Sequence, residues 1–205
     1  MTRSAGYGRG LRYGRAMSKT RLEAFSDGVI AIIITIMILE LKIPHGADLD
    51  ALRGLLPSFL MYVLSFVFVG IYWNNHHHLL HAATRITGPV LLANRHLLFG
   101  LSLVPVATSW MGEHHRVALP TAVYGAVLIL CAIAYTVLQR CLIALEGPHS
   151  TLAQAIGNDS KGWISLAIYA VAIAMAFVEP GISDALYVTV TLVWLVPDRR
   201  IERHL

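Results

Sequence analysis

Residues 21–40 read RLEAFSDGVIAIIITIMILE, and this stretch decides the fold class. From Val29 to Leu39 every residue except Thr35 is apolar. With its flanks, the segment reaches the roughly 20 residues that a helix needs to cross a bilayer. The whole chain agrees, because 56% of its residues are hydrophobic and only 14% are charged. An average soluble domain has roughly 25% charged residues. This composition excludes disorder for most of the chain and argues against a soluble enzyme.

Six apolar segments follow one another along the 205 residues, which leaves no room for an added soluble domain. We therefore expect an all-α polytopic membrane protein with six transmembrane helices. Residues 179–181 (Glu-Pro-Gly) predict a tight reversal between the last two helices. The predicted spans are 20–41, 55–76, 89–111, 117–140, 163–178 and 182–196.

Local signals indicate where individual helices begin and bend. Thr20-Arg-Leu-Glu23 has the form of a capping box, in which two side chains satisfy the first backbone N–H groups of a helix. Pro57 is expected in the first turn of the second helix, where proline is tolerated. Pro105 is expected to kink the third helix. The polar connection 146–161 contains Gly, Pro, Asn and Asp, and it is expected to form turns.

Basic residues predict how the chain sits in the membrane. If the N-terminus lies inside, the inner loops and tails carry twelve Lys and Arg residues and the outer loops carry three. Since cytoplasmic segments are enriched in Lys and Arg, both termini are expected in the cytoplasm of a multi-pass cell-membrane protein. Residues 1–19 are predicted to be a disordered basic tail before the transmembrane domain 20–205, although Met17 is an alternative start. Nothing in the tail favours binding of nucleic acid.

Polar side chains inside predicted membrane segments are costly, so each one is a candidate for function. Ser26 and Asp27 lie about one and a half turns into the first helix. Asp27 needs a hydrogen-bond donor there, and a simple hairpin returns the end of the second helix to this depth. Trp73 and either His76 or His77 are therefore expected beside the pair formed by Ser26 and Asp27.

The histidines near the end of the second helix allow two interpretations. His78 and His81 fit a solvated belt at the membrane edge. A metal site would need His76, His77, His81 and His96 to converge, yet no HExxH or CxxC motif and no carboxylate ligand accompanies them. The metal interpretation supports an alternative function, a metal-cation or proton-coupled transporter that uses the cluster from His76 to His81. No cofactor is predicted, and no pairing of a nucleophile with a base indicates an enzyme.

The first helix has two different faces. With Ile32 at 0° and about 100° per residue, Ile36 falls at about 40°, Leu39 at about −20° and Thr35 at about −60°. Asp27 falls at about −140°, away from this stripe. From periodicity alone, the stripe formed by Ile32, Ile36 and Leu39 is expected either to face lipid or to pack against neighbouring helices.

The pattern Arg21-x-x-x-Phe25-Ser26-Asp27 resembles the first-helix motif of the transmembrane protein 175 family of potassium channels, which is found in endosomes, lysosomes and prokaryotes. The resemblance covers nearly the whole chain from Lys19 onward. Further matches are Ala31, Thr35, Leu39 and Glu40 in the first helix, Tyr72-Trp73-x-x-His76-His77, Asn94, Pro105, and residues 196–200 (Val-Pro-Asp-Arg-Arg).

This resemblance implies a homotetramer in the lipid bilayer that conducts potassium ions through a pore lined by the first helices. The eukaryotic members have two fused six-helix repeats, whereas this chain has one, so four copies would be needed for the same number of pore helices. No Gly-Tyr-Gly filter stands between the predicted spans, so no pore loop of the usual potassium-channel type is expected. The hydrophobic constriction maps onto Ile32, Ile36 and Leu39, with Thr35 adjoining. The family's interhelical polar network maps onto Arg21, Phe25, Ser26, Asp27, Trp73, His76, His77 and Asn94.

Overall fold

The computed structural model describes residues 18–157 and 159–195. These residues form eight α-helices, and the prediction of an all-helical membrane protein is confirmed for them. The predicted closing residues 196–200 and the tail 1–17 lie outside the described residues. The helices are α1 Lys19–Leu39, α2 Leu49–His81, α3 Gly88–Ser102, α4 Val104–Glu113, α5 Ala118–Glu146, α6 Thr151–Ile156, α7 Ser160–Ala176 and α8 Pro180–Leu195.

Four helical stretches in the described part of the chain are long and apolar enough to cross a membrane. They are α1, α2, the α3–α4 pair and α5. The two remaining apolar helices, α7 and α8, have 17 and 16 residues. At about 1.5 Å per residue, they extend about 25 Å, slightly less than the roughly 30 Å of a typical hydrocarbon core.

Helix α1 begins earlier than predicted. Ser18 caps it, because its Oγ accepts a hydrogen bond from the backbone N–H of Arg21 at 3.4 Å. The predicted cap at Thr20 is therefore wrong, and Lys19 belongs to the helix instead of the tail. The physical reason is that Ser18 already has the extended backbone and the hydroxyl that an N-cap requires. Glu23, the predicted partner in the capping box, lies 4.0 Å from the Lys19 ammonium.

Helix α2 is longer than predicted at both ends, with 33 residues. Asp48 caps its start, since Asp48 Oδ1 accepts from the backbone N–H of Ala51 at 2.8 Å. Pro57 therefore lies inside the helix and not in its first turn, which corrects the prediction. The predicted span 55–76 covers only the central part of α2, whereas residues 49–54 and 77–81, which mix polar and apolar side chains, continue the same helix. At about 1.5 Å per residue, α2 extends well beyond a bilayer core.

The third predicted span is broken between α3 and α4 at Leu103, two residues before Pro105. This confirms the expected kink, because proline cannot donate the backbone hydrogen bond that would continue the helix. The reversal between α7 and α8 is also confirmed, as only residues 177–179 separate them. The connection 146–161 is not made of turns alone, however. Ser150 Oγ accepts from the N–H of Ala153 at 3.1 Å and caps the short helix α6.

Helix α5 lies at the centre of the described bundle and packs against α3, α4, α7 and α8. The approach of α8 is especially close at Gly125. A Cβ atom added there would lie 2.2 Å from the hydroxyl oxygen of Tyr187. That hydroxyl donates to the backbone carbonyl of Thr121 at 3.0 Å. In contrast, α1 lies on the periphery of the bundle, with one face against α2, α3 and α4.

Candidate functional site

The inner face of α1 is fully packed, and its outer face is open. The inner residues Leu22, Ser26, Ile30, Ile33 and Met37 are all buried. On the opposite side, Ile32 is 60% exposed and Leu39 is 77% exposed. The outer stripe, as we call it, consists of Phe25, Ile32, Thr35, Ile36 and Leu39, all exposed.

Neighbouring isoleucines show how sharply the two faces differ. Ile32 is 60% exposed, whereas Ile33 is only 3% exposed and packs into the bundle. One residue rotates the side chain by about 100° around the helix axis, which accounts for the contrast. An apolar helix face that the chain leaves open in a membrane lies against lipid or against another protein surface.

Thr35 is the one hydroxyl residue of the outer stripe. Its Oγ1 donates to the backbone carbonyl of Ala31 at 2.8 Å. The hydroxyl hydrogen is thereby used within the helix, while the oxygen keeps acceptor capacity toward the open side. The stripe thus presents one hydroxyl oxygen among apolar side chains.

The first polar connection of α1 joins Asp27 to α2. The indole Nε1–H of Trp73 donates to Asp27 Oδ1 at 3.0 Å. As the predicted hairpin requires, the end of α2 lies beside the start of α1. The hydrogen-bond donor that Asp27 needs is therefore Trp73. Asp27 itself is half-buried.

The second polar connection joins three helices through buried side chains. Asn94 on α3 donates from Nδ2 to Ser26 Oγ on α1 at 2.9 Å. His76 on α2 donates from Nε2 to Asn94 Oδ1 at 2.6 Å. All three side chains are at most 1% exposed. Buried polar groups in proteins are normally satisfied in this way, and the amide of Asn94 serves both neighbours.

Three further residues that the resemblance assigns to the network are exposed in the described chain. Arg21 and Phe25 fall at about −20° and 20° from Ile32, so helix geometry places them on the open side of α1. Both are exposed, and the Arg21 guanidinium has no hydrogen bond or ion pair to a described residue. His77 is exposed on α2, where its ring lies 6.4 Å from that of Trp73 and 6.1 Å from that of His81.

The convergence of histidines that the metal-site alternative requires does not occur in the described part of the chain. His76 is buried against Asn94, while His77, His81 and His96 are exposed. Among the described residues, no group of three or more His, Cys, Asp or Glu side chains is arranged to hold a metal ion. Successive side chains of a helix point about 100° apart, so His76 faces the bundle while His77 faces outward.

Sequence reasoning missed the tethers at the two ends of α1. At its start, the Lys19 ammonium donates to the carbonyl of His81 at 2.6 Å. Beyond its end, the Lys42 ammonium lies 2.9 Å from a carboxylate oxygen of Glu113. Basic residues in the sequence indicate only membrane orientation, and nothing in the local pattern around Lys19 or Lys42 indicates a partner so distant in the chain.

Known protein families and individual proteins resemble this chain in sequence. Residues 21–105 match the family described as endosomal/lysosomal potassium channel TMEM175. A potassium channel from Chryseobacterium sp. (strain P1-3) is 52% identical over 189 residues, which cover 92% of this chain and 98% of the relative. The human protein named endosomal/lysosomal proton channel TMEM175 is 42% identical over 87 residues, or 35% of this chain and 17% of the human one.

Comparison with solved structures indicates the same family as the sequence comparison. The crystal structure of a lysosomal potassium-selective channel TMEM175 homologue from Chamaesiphon minutus superposes with a TM-score of 0.78 and 26% identity. The superposition covers 88% of this chain and 97% of that structure. This chain is therefore a single-repeat member of the TMEM175 family of potassium channels, and it belongs to no enzyme class.

Proposed function

We propose that this protein is a homotetrameric, potassium-selective channel of the cell membrane whose pore is lined by the outer stripe of α1. One observation carries the proposal. The inner face of α1 is buried at Ile30, Ile33 and Met37, whereas Ile32 and Leu39 are 60% and 77% exposed. The names of the relatives, two of which are potassium channels, support the choice of ion.

A single α1 cannot enclose a pore, and symmetric assembly supplies the missing walls. Homo-oligomers close most simply around a rotation axis, which places the same face of each copy toward that axis. Four outer stripes facing one another would remove the exposed isoleucines from lipid and line a central path. The rest of each bundle would then surround this path, with six crossings per chain and both termini in the cytoplasm.

The narrowest layer in this proposal is formed by Ile32. A ring of branched apolar side chains narrows a pore and can close it by dewetting. An ion that passes the ring must shed part of its hydration shell. Potassium holds its water less firmly than sodium does, so a hydrophobic ring favours potassium without binding it. The Thr35 oxygens lie about one turn further along and can partly replace the lost water.

The polar connections have a structural role in this proposal. Asp27 falls at about −140° from Ile32, on the side of α1 that faces Trp73. Its carboxylate therefore sets the rotation of α1 and does not contact the ion. Ser26, Asn94 and His76 fix the same helix to α2 and α3. In this proposal, these residues hold α1 in the rotation that directs Ile32 toward the central axis of the tetramer.

Reversal potentials test the choice of ion. The full-length protein is reconstituted into planar bilayers with potassium on one side and sodium on the other. A reversal potential displaced toward the potassium equilibrium potential is expected, and one near zero would refute the selectivity. The vertebrate relatives are named proton channels, so a pH gradient is applied separately to measure proton current.

Assembly is tested independently by native mass spectrometry in mild detergent. The expected particle has four times the chain mass of 22.5 kDa. A monomer that retains current would contradict the proposed pore. Chelating divalent metals should leave the current unchanged, whereas loss of the current would favour the metal-transporter alternative.

A further inference from the structure

Two cations lie over indole rings at the corner where α5 ends, α7 begins and α8 ends. The Arg140 guanidinium is 5.8 Å from the centre of the Trp163 ring. The Lys161 ammonium is 4.8 Å from the centre of the Trp194 ring. Such cation–π contacts hold a charged side chain in a defined position. We call Arg140, Lys161, Trp163 and Trp194 the basic corner.

An apolar strip of α5 leads directly to the basic corner. Ile133 and Val137 precede Arg140 by seven and three residues, a spacing that puts all three on one face of the helix. This face is open, because Ile133 is 49% exposed and Val137 is 45% exposed. Trp163 is 56% exposed beside it. Along about 10 Å of α5, the surface therefore changes from apolar to cationic. This arrangement is complementary to a phospholipid, whose apolar acyl chain continues into an anionic phosphate.

Two carboxylates of the described residues near the corner, those of Asp159 and Glu146, accept hydrogen bonds within the protein. Asp159 Oδ1 accepts from the backbone N–H of Gly162 at 3.3 Å. Burial raises the pKa of the Asp159 carboxyl, while the Gly162 N–H and Arg140 lower it. At the end of α5, Glu146 Oε1 accepts from the backbone N–H and the hydroxyl of Thr84 at 2.8 and 2.9 Å. Arg140 remains exposed toward the surroundings of the bundle.

We propose that the basic corner binds the phosphate of an anionic phospholipid, whose acyl chain lies along Ile133 and Val137. Cations near a membrane surface attract anionic lipid, and tryptophan favours the same interfacial depth. The adjoining apolar strip favours a lipid over a free phosphate ion. This inference requires that the chain sits in a bilayer, but it does not depend on ion conduction or on potassium selectivity.

Native mass spectrometry of the full-length protein in detergent tests the site. The protein is titrated with dioleoyl phosphatidylglycerol and, separately, with dioleoyl phosphatidylcholine. The parent should prefer phosphatidylglycerol. Arg140→Gln should weaken phosphatidylglycerol binding about fivefold, the effect of roughly one cation near a membrane surface. Its phosphatidylcholine binding should not change.

Arg53→Gln is the matched control, because Arg53 is an exposed arginine at the start of α2, paired with Asp50 at 2.8 Å. It should bind both lipids as the parent does. An unchanged preference in Arg140→Gln, or an equal loss in Arg53→Gln, would overturn the inference. Displacement of phosphatidylglycerol by millimolar inorganic phosphate would also overturn it, because the site would then bind the anion alone. If Arg140→Gln does not assemble, Lys161→Gln is judged by the same criteria.

Discussion

The indole N–H of Trp73 donates to the carboxylate of Asp27 across 3.0 Å, and this bond joins α1 to α2. The two residues are 46 positions apart in the chain. Two residues away along α1, on the other side of Ser26, the helix presents the exposed Phe25. One short segment therefore contributes both to the attachment of α1 and to its open face.

Asp27→Ala should destabilise the protein more than it changes ion selectivity. The substitution leaves Trp73 without its acceptor, and a hydrogen bond to a charged group contributes about 1.5–3 kcal/mol. Asp27→Asn retains an acceptor oxygen and should lose less. The melting temperature in detergent and the tetramer fraction measure the effect. A stable, fully assembled Asp27→Ala variant that differs only in ion preference would contradict the structural role.

Asn94→Ala should be more damaging than removal of either of its neighbours. It leaves both Ser26 and His76 buried without a partner, at about 1–3 kcal/mol for each unsatisfied group. Asn74→Ala is the control, because Asn74 is an exposed asparagine of α2. In a double-mutant cycle of Ser26→Ala with Asn94→Ala, the two losses should not add, since one bond is counted in both. Additive losses in thermal unfolding would show that the two residues act separately.

Gly125→Ala and Gly54→Ala should have effects of opposite sign. At Gly125, the new Cβ would meet the Tyr187 hydroxyl at 2.2 Å and a side-chain carbon of Ile173 at 2.7 Å. At Gly54, no such atom lies within 4 Å. Alanine favours a helix interior by about 1 kcal/mol over glycine. Thermal unfolding should therefore show a lower melting temperature for Gly125→Ala and a higher one for Gly54→Ala. Equal effects would mean that the approach of α5 and α8 is less close.

Apolar periodicity was sufficient to find the long spans, because a bilayer demands a continuous apolar helix whatever its partners are. It could not find the ends of those helices. Ser18 and Asp48 cap α1 and α2 through single hydrogen bonds, and such bonds cannot be read from the hydropathy of the sequence. For the same reason, nothing in the apolar pattern pointed to α6, which lies in a polar connection.

The polar connections were only partly predictable. Asp27 stood out because a carboxylate inside an apolar helix needs a donor, and the hairpin limited the candidates to residues such as Trp73. The buried contacts among Ser65, Thr108 and Tyr124 were not found. Hydroxyl residues are common in membrane helices, and only the packing of α2, α4 and α5 shows that these three meet. The outer stripe was visible as a pattern, but an open face and a packed face look alike in sequence.

Bi-ionic reversal potentials of two asparagine variants test most directly whether the outer stripe of α1 faces a central pore. Ile32→Asn places an amide on the outer stripe, while Ile38→Asn places one at about −120° from Ile32 on the same helix. Ile38 is itself 44% exposed, so the control does not open the core. We expect Ile32→Asn to conduct more and to discriminate less between potassium and sodium, with Ile38→Asn close to the parent. Unchanged selectivity in Ile32→Asn together with a shift in Ile38→Asn would show that a different face of α1 lines the pore.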